Sequence, residues 1–263
     1  MAYNALGRFP PEQAIKTREA VSTEAQVAGH YTRGRLEEMI LAAVAKAGKD
    51  SAQLTASDLA AVDEFHIGGL ESTQELATHM DLRPELRLLD VGCGIGGPAR
   101  YFASQHGCKV TGVDLTEEFV QVAGSLTRRS KLDHLVDFYC ASALALPFAE
   151  ATFDRACMIH VGMNIADKAS LCREIRRVLK PGGLFTVFDI MRSGNDPLRF
   201  PVPWAMTEET SFVAEVKDYR GALGAAGFRI SQERSRRPLR LSSQNARWPA
   251  SRKAGHLRSG FIC

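Results

Sequence analysis

The residues Leu88-Leu89-Asp90-Val91-Gly92-Cys93-Gly94-Ile95-Gly96-Gly97 carry the strongest structural signal in this chain of 263 residues. A short apolar run ends in glycines and leads into a predicted helix from Pro98 to Ser104, which is the order of a strand, a turn and a helix. Glycine permits a positive φ and lets a ligand approach the N–H groups at the start of the helix. The stretch therefore predicts a ligand-binding loop at the carboxyl end of a parallel strand.

The glycine spacing fits two templates. Gly92, Gly94 and Gly97 match the dinucleotide pattern Gly-x-Gly-x-x-Gly, whereas Asp90 with Gly92, Gly94 and Gly96 matches Asp-x-Gly-x-Gly-x-Gly. An acid two residues before the first glycine would repel a pyrophosphate but attract an ammonium group. Asp90 therefore favours a cofactor that carries an amino acid, and a nicotinamide-dependent oxidoreductase stays as the alternative.

Short β-rich runs alternate with amphipathic helices from Leu70 onward, which predicts an α/β fold with a doubly wound, mostly parallel, Rossmann-like sheet. Before this region, the helical spacing of Leu36, Met39, Ile40, Ala43 and Val44 predicts an N-terminal helical cap. We expect three segments: a cap at 1–64, a cofactor-binding domain at 65–233 and a basic tail at 234–263. Strands are predicted near 86–91, 108–113, 135–140, 154–159, 183–190 and 228–232, and the later helices at 117–129, 167–179 and 215–226.

Basic residues are concentrated at the C-terminus. Residues 231–263 hold seven Arg and one Lys against one acid, so the net charge there is +7, whereas residues 1–230 carry 25 bases and 29 acids. The basic balance thus gives no indication of a nucleic-acid partner. The tail is predicted to be either a disordered extension or a sequence read out of frame after about Arg234, and the last strand of the sheet is then in doubt.

Asp114 lies 24 residues after Asp90 and ends the second predicted strand. A carboxylate at that edge can accept hydrogen bonds from both hydroxyls of a ribose, and the competing interpretation is an acid that caps the following helix. Together with the glycine stretch, Asp114 predicts a nucleoside site.

The chain resembles the class I S-adenosylmethionine-dependent methyltransferases from about Asp63 to Arg229. The resemblance rests on the glycine stretch, Val113-Asp114 and four further motifs, which are Asp-Glu-Phe-His-Ile-Gly-Gly (63–69), Leu146-Pro147-Phe148, Phe153-Asp154 and Leu179-Lys180-Pro181-Gly182-Gly183. It is similar to members that act on small molecules, namely glycine, sarcosine and dimethylglycine N-methyltransferases and ubiquinone or menaquinone C-methyltransferases.

The resemblance implies S-adenosylmethionine as cofactor, S-adenosylhomocysteine as its product, and no metal. It implies that Asp90 faces the methionine amine, that Gly92, Gly94 and Gly96 line the cofactor, that Asp114 holds the ribose and that Leu115 flanks the adenine. The family often has an acid before Ala-x-x-Leu-Pro-Phe that accepts the adenine amino group; this chain has Ser142 followed by Ala143 there. A serine hydroxyl can accept one hydrogen bond, and the change is expected to cost about 0.5–1.5 kcal/mol.

Four further residues are candidates for the acceptor side. His160 follows the fourth predicted strand, so it would border the methyl donor and could act as a base, although the sequence favours a packing role. Trp204, in the aromatic loop 191–214, could hold a cationic amine or could anchor a lid. Tyr31 and His66 could close over the cofactor or simply pack.

The sequence predicts an enzyme that transfers a methyl group to a small-molecule acceptor, with an amine weakly favoured. A catalytically silent protein that binds the cofactor is the other alternative. The six cysteines form no Cys-x-x-Cys pair, which indicates reduced thiols without zinc. No apolar run is long enough to span a membrane, and the first residues lack a leader pattern, so a cytoplasmic location is expected.

Overall fold

The computed structural model describes residues 22–194, 196–235 and 257–262. Its helices are α1 Thr23–Tyr31, α2 Leu36–Lys46, α3 Ala56–Asp63, α4 Gly69–Thr78, α5 Gly97–His106, α6 Glu117–Arg129, α7 Lys168–Val178 and α8 Val216–Ala225. Its strands are β1 Arg87–Val91, β2 Lys109–Asp114, β3 Val136–Cys140, β4 Phe153–Ile159, β5 Leu179–Arg192, β6 Glu233–Ser235 and β7 Leu257–Ile262.

The described strands form one sheet in the order β3-β2-β1-β4-β5-β7-β6. Strands β1 to β5 run parallel, and β7 pairs antiparallel with both β5 and β6. The strand order reverses between β1 and β4, so the loops that follow these two strands diverge and leave a crevice at the carboxyl edge. The predicted doubly wound α/β fold is confirmed.

Alternate side chains of the strands enter two cores, as expected for a sheet covered on both faces. Leu89 and Val91 pack in the core that includes α7 and α8, whereas Leu88 packs in the core that includes α4 and α5. The strand residues are almost fully buried, and Asp90 is buried with them at 1% exposure. Ionisation of a buried acid costs free energy, because the charge loses its contact with water. The environment of Asp90 therefore decides whether its carboxyl group is ionised.

The helical cap packs against the glycine stretch and α6. Leu59 of α3 contributes to a cluster that contains Ile95 of the glycine stretch and Leu126 of α6. A buried ion pair joins the same elements, because Arg100 Nη2 donates to Asp63 Oδ2 at 2.7 Å and to the Ile95 carbonyl at 2.8 Å. Helices α1 to α3 lie within the predicted cap at 1–64, whereas α4 follows it, and residues 1–21 lie outside the described part of the chain. The domain boundaries at 64 and 233 stay predictions.

The final strands differ from the prediction. Residues 228–232 are not in a strand, and the short strand β6 starts instead at Glu233. Phe228 and Ile230 do pack against the core, which is why their alternation resembled a strand, but the open side of β5 is taken by β7. The last strand, which the sequence left in doubt, is present at Leu257–Ile262. Of the tail at 234–263, predicted to be disordered or out of frame, residues 234–235 and 257–262 lie in strands, and 236–256 fall outside the described residues.

Within the described residues, no helix combines the length and the apolar character needed to cross a membrane.

Candidate functional site

The glycine stretch forms a tight turn between β1 and α5. Gly92 has φ +70°, and a Cβ on it would come within 2.2 Å of Val161 Cγ2 after β4. Gly94 has φ +53°, and a Cβ there would meet nothing within 4 Å. The backbone at Gly92 is therefore enclosed by the next loop, whereas at Gly94 it borders open space that a ligand can enter.

Asp114 links this turn to the end of β2. Its carboxylate accepts a hydrogen bond from the Gly94 N–H at 2.9 Å and another from the Thr116 N–H at 2.9 Å. Burial raises the pKa of Asp114. Thr116, not Asp114, is the N-cap residue of α6, so Asp114 is not a helix-capping acid here. The turn and the carboxylate are thus held in a fixed relative position at the crevice.

Asp90 lies beneath the glycine stretch with an incomplete set of partners. Its Oδ1 is 3.5 Å from the Cys157 thiol, while Oδ2 is buried and has no hydrogen-bond partner. Burial raises the pKa of Asp90 to about 7. A buried carboxylate oxygen without a partner is uncommon, and it fits a site that receives a donor from a ligand.

A buried polar cluster lies next to Asp90 and contributes to its electrostatic environment. His66 Nε2 is 2.7 Å from Glu64 Oε2 and 3.0 Å from Thr73 Oγ1, and Thr73 donates to the same Glu64 oxygen at 2.8 Å. The His66 and Glu64 side chains are only 6% and 2% exposed. Sequence reasoning proposed His66 but missed Glu64 and Thr73, although Glu64 belongs to the quoted motif 63–69.

His160 faces this cluster. Its ring is edge-on to His66, with centroids 5.8 Å apart, and lies 4.8 Å from the ring of Phe188. The residue has φ +53°, and its Nε2 is buried without a hydrogen-bond partner. Burial, and then the nearby His66, hold the pKa of His160 well below its ordinary value. The neutral form of the His160 imidazole is therefore favoured, and its Nε2 lacks a hydrogen-bond partner.

Tyr31 and Trp204 meet through a residue that the sequence did not single out, Asn164. The Tyr31 hydroxyl donates to Asn164 Oδ1 at 3.0 Å, and Asn164 Nδ2 donates to the carbonyls of Trp204 at 2.9 Å and Thr210 at 3.0 Å. Burial, followed by the charges of Asp114 and Asp189, raises the pKa of Tyr31. The Tyr31 hydroxyl thus lies where α1 contacts the loop 193–214, close enough to Asp114 and Asp189 for their charges to act on it.

The Trp204 indole is packed rather than presented to a ligand. It is 4% exposed within an apolar cluster with Met163, Ile190 and Ala205, and its N–H donates to Ser211 Oγ at 3.0 Å. This arrangement supports the interpretation of Trp204 as the anchor of the loop. Its cation–π role stays a prediction.

The residues expected near adenine lie at the ends of β2 and β3. Leu115 is half-buried, and its carbonyl is 3.7 Å from the Cys140 thiol. Ala143 packs against the core beside α7. The Ser142 hydroxyl accepts from the Leu144 N–H at 3.0 Å and donates to Glu24 Oε1 at 2.5 Å. No sequence signal linked Glu24, 118 residues away, to this position.

Among residues 22–194, 196–235 and 257–262, no group of three or more His, Cys, Asp or Glu side chains could hold a metal ion.

The comparisons with known proteins agree with this geometry. A family model described as "Methyltransferase domain" matches residues 89–187. Methyltransferase GfsG of Streptomyces halstedii is 34% identical over 137 residues, which cover 52% of this chain and 49% of that protein. The glycine/sarcosine/dimethylglycine N-methyltransferase of Actinopolyspora halophila is 36% identical over 122 residues, or 46% of this chain and 22% of that protein. The chain thus spans half or less of the length of these relatives.

Among solved structures, geranyl diphosphate C-methyltransferase of Streptomyces coelicolor A3(2), in complex with Mg²⁺, geranyl diphosphate and S-adenosyl-L-homocysteine, superposes with a TM-score of 0.69 at 18% identity. The match covers 92% of this chain and 97% of that one, so the two proteins share a fold. Residues 89–187 thus match a methyltransferase domain in sequence, and the strand order and the glycine turn agree with that match.

Proposed function

We propose that the protein transfers a methyl group from S-adenosylmethionine to a small-molecule acceptor. The observation that carries the proposal is the crevice at the carboxyl edge of β1, β2 and β4. It combines the open backbone at Gly94, the fixed Asp114 carboxylate and the unpartnered oxygen of Asp90. The names of the matched relatives and the family match support the same chemistry over the nicotinamide-dependent alternative.

The crevice residues fit the cofactor in three respects. The unpartnered, buried Asp90 Oδ2 suits the ammonium group of the methionine part, because a charge-assisted hydrogen bond would satisfy it. The Asp114 carboxylate, held by the Gly94 and Thr116 N–H groups, lies at the crevice where ribose hydroxyls would donate to it. The open side of Gly94 lets the ligand lie against the backbone.

S-adenosylmethionine supplies an electrophilic methyl group on a sulfonium sulfur, so the protein mainly has to orient the acceptor and exclude water. We assign exclusion of water to the contact of Tyr31, Asn164 and Trp204, where partly buried hydrogen bonds connect the cap to the loop 193–214. The apolar cluster around Trp204 and Met163 would line the same side.

We assign the handling of the acceptor proton to His160 and the pair of Glu64 and His66. Neutral His160 can accept a hydrogen bond from an acceptor N–H or O–H through a ring nitrogen, and a general base of this kind contributes about 10²–10⁴-fold. The buried Glu64 carboxyl group beside His66 offers acceptor oxygens, which suits an amine N–H better than an anionic acceptor. An amine therefore remains the favoured acceptor class of the proposal.

Calorimetric titration with S-adenosylmethionine and S-adenosylhomocysteine tests the cofactor. We expect wild-type protein to bind both, and Asp90→Asn and Asp114→Asn to weaken binding at least about tenfold, since each removes a charge-assisted contact. Asp81→Asn is the matched control, because Asp81 lies before β1, at the opposite edge of the sheet, and its side chain is 73% exposed. A folded wild type that binds NAD but neither of these ligands would refute the proposal.

If binding is found, release of S-adenosylhomocysteine over a panel of amines, alcohols and carbon nucleophiles identifies the acceptor. Turnover with no member of the panel, together with intact binding, would instead favour a protein that only binds the cofactor. We further propose, from the sequence alone, that the protein works in the cytoplasm and has no nucleic-acid partner.

A further inference from the structure

A carboxylate of the helical cap reaches the sheet edge where the nucleoside part of a cofactor would lie. Glu24, in the first turn of α1, accepts the Ser142 hydroxyl at 2.5 Å. Ser142 stands two residues beyond the carboxyl end of β3. That position after β3 holds a serine rather than an acid. The contact therefore brings a carboxylate from the cap, distant in the sequence, to this position.

Ser142 lies close to Asp114, the residue that we propose binds the ribose. The Ala141 N–H donates to the Asp114 carbonyl at 2.9 Å, and Cys140 pairs with Asp114 in the parallel register of β2 and β3. The base of a nucleoside is bonded directly to its ribose. A ribose held by Asp114 therefore brings its base to the space bounded by the loops after β2 and β3.

The hydroxyl of Ser142 is already engaged on both sides, since it accepts from the Leu144 N–H and donates to Glu24. A carboxylate, in contrast, has about four acceptor positions on its two oxygens. Glu24 uses one of them for Ser142 and has capacity for a further donor. Of these two residues, Glu24 is therefore the one with a free acceptor position.

Contacts at both ends of α1 fix the helix that carries Glu24, whose exposed side chain is held by Ser142. At the start of the helix, the Ser22 hydroxyl accepts from the Ala25 N–H at 3.2 Å, and at its end Tyr31 bonds Asn164 at 3.0 Å. Between them, Val27 is buried. An acceptor held in place in this way loses little conformational entropy when a ligand binds.

We propose that Glu24 accepts a hydrogen bond from the exocyclic amino group of the cofactor's adenine, with Ser142 as the positioning residue for its carboxylate. The inference rests on the proposed function. It makes the cap a determinant of base specificity, because a purine with an oxygen in place of the amino group would set that oxygen against the carboxylate.

Calorimetric titration with S-adenosylhomocysteine and with its 6-oxo (hypoxanthine) analogue tests this. We expect wild type to prefer the 6-amino ligand by about tenfold or more. Glu24→Gln keeps an acceptor for Ser142 but can also donate to an oxygen, so the preference should fall to about threefold or less. Glu38→Gln is the matched control, since Glu38 is an exposed cap carboxylate paired with Arg35.

A double variant protects the test against a folding defect. Glu24→Ala should lose the preference, and Ser142→Asp in the same chain should restore it by placing a carboxylate on the sheet itself. Retention of the wild-type preference in both Glu24 variants, or no rescue by Ser142→Asp with the fold intact by circular dichroism, would overturn the inference. Absence of any ligand binding by wild type would overturn the proposed function and this inference with it; binding with an unchanged preference overturns the inference alone.

Discussion

At the scale of single residues, Asp90 couples the crevice to pH. It is buried with one oxygen unpartnered, and burial raises its pKa to about 7. Cys157 contacts it, and Glu64, His66 and Asp114 are the charged or titratable groups that act on it. In the ligand-free protein the folded state favours the protonated Asp90 carboxyl group. This contribution to stability is complete below about pH 3.9, the pKa of Asp in the unfolded chain, and it is lost as the pH rises through about 7.

Ligand binding should have the opposite dependence on pH. An ammonium group requires the ionised carboxylate, so the affinity for S-adenosylhomocysteine should rise about tenfold from pH 6 to pH 8, and binding near pH 6.5 should release a proton. Titration in two buffers of different ionisation enthalpy measures that proton. The release should vanish in Asp90→Asn; a proton count that is unchanged in this variant would assign the effect to another group.

His160 provides a second prediction at this scale. His160→Asn retains a residue type that tolerates φ +53°, so the fold should be kept while the imidazole is lost. If His160 takes the acceptor proton, kcat should fall about 10²-fold or more with little change in cofactor affinity. Because its pKa is well below the ordinary value, the wild-type rate should show no loss from its protonation near pH 6.

A small effect of His160→Asn on kcat, together with a lower free energy of unfolding, would identify His160 as a packing residue. Phe188, which lies 4.8 Å from the His160 ring, offers a matched comparison. Phe188→Leu should reduce stability without a specific loss of kcat.

The sequence supplied the principal candidates at this scale because the loop after each strand brings them to one edge. Asp90, Gly94 and Asp114 come from neighbouring strands β1 and β2, so their proximity follows from topology. Glu24 and Asn164 could not be found in this way. Their partners, Ser142 and Tyr31, are more than 100 residues distant in sequence, and exposed or half-buried polar residues leave no pattern.

At the scale of elements, the turn between β1 and α5 separates a structural glycine from a ligand-facing one. Gly92→Ala should reduce the free energy of unfolding by about 2–5 kcal/mol, because a positive φ and a Cβ collision with Val161 act together. Gly94→Ala has the backbone penalty alone, about 1–2 kcal/mol. Its methyl group, however, would project into the open space beside residue 94 where we propose that the ligand lies.

Urea denaturation and titration on the same samples distinguish the two positions. Gly94→Ala should lose at least about tenfold in affinity for S-adenosylhomocysteine while it stays folded. Gly182→Ala serves as control, since Gly182 also has a positive φ and open surroundings but lies at the start of β5. Equal affinity in Gly94→Ala and Gly182→Ala would show that the ligand does not approach this turn.

Local sequence defined the helices and the first five strands well where periodicity and end signals agreed. Helix α6 begins after Thr116 and ends at Arg129 as predicted, with acids in its first turn and arginines in its last. Strand β5 is longer than expected at both ends, because it begins at Leu179, which pairs with Phe153, and continues to Arg192, which pairs with Leu257. A strand's length and the identity of its partner depend on distant residues, which local propensity cannot report.

At the scale of the whole molecule, the parallel sheet and the helical cap both contribute residues to the crevice at the carboxyl edge. The crevice floor comes from β1, β2 and β4, while Tyr31 and Glu24 of α1 reach it from the cap. The sequence predicted a cap and a sheet separately. It could not predict their relative placement, which is set by a few buried contacts such as Arg100 with Asp63.

Removal of Leu257–Ile262 tests the role of β7 in the complete sheet. These residues pair with β5 from Val187 to Arg192, so their deletion would leave that strand with an unpaired edge. We expect a lower denaturation midpoint and concentration-dependent light scattering. An unchanged denaturation midpoint without association would show that β7 is not needed to protect the edge of β5.

The position of β7 also affects how this protein is synthesised. The edge of β5 is complete in sequence at Arg192, but its partner begins only at Leu257. At about 5–20 residues per second, a ribosome needs roughly 3–13 s to add the intervening segment. Throughout that interval the nascent chain would present an unprotected apolar strand, so its yield in the cell should depend on chaperones that bind during translation.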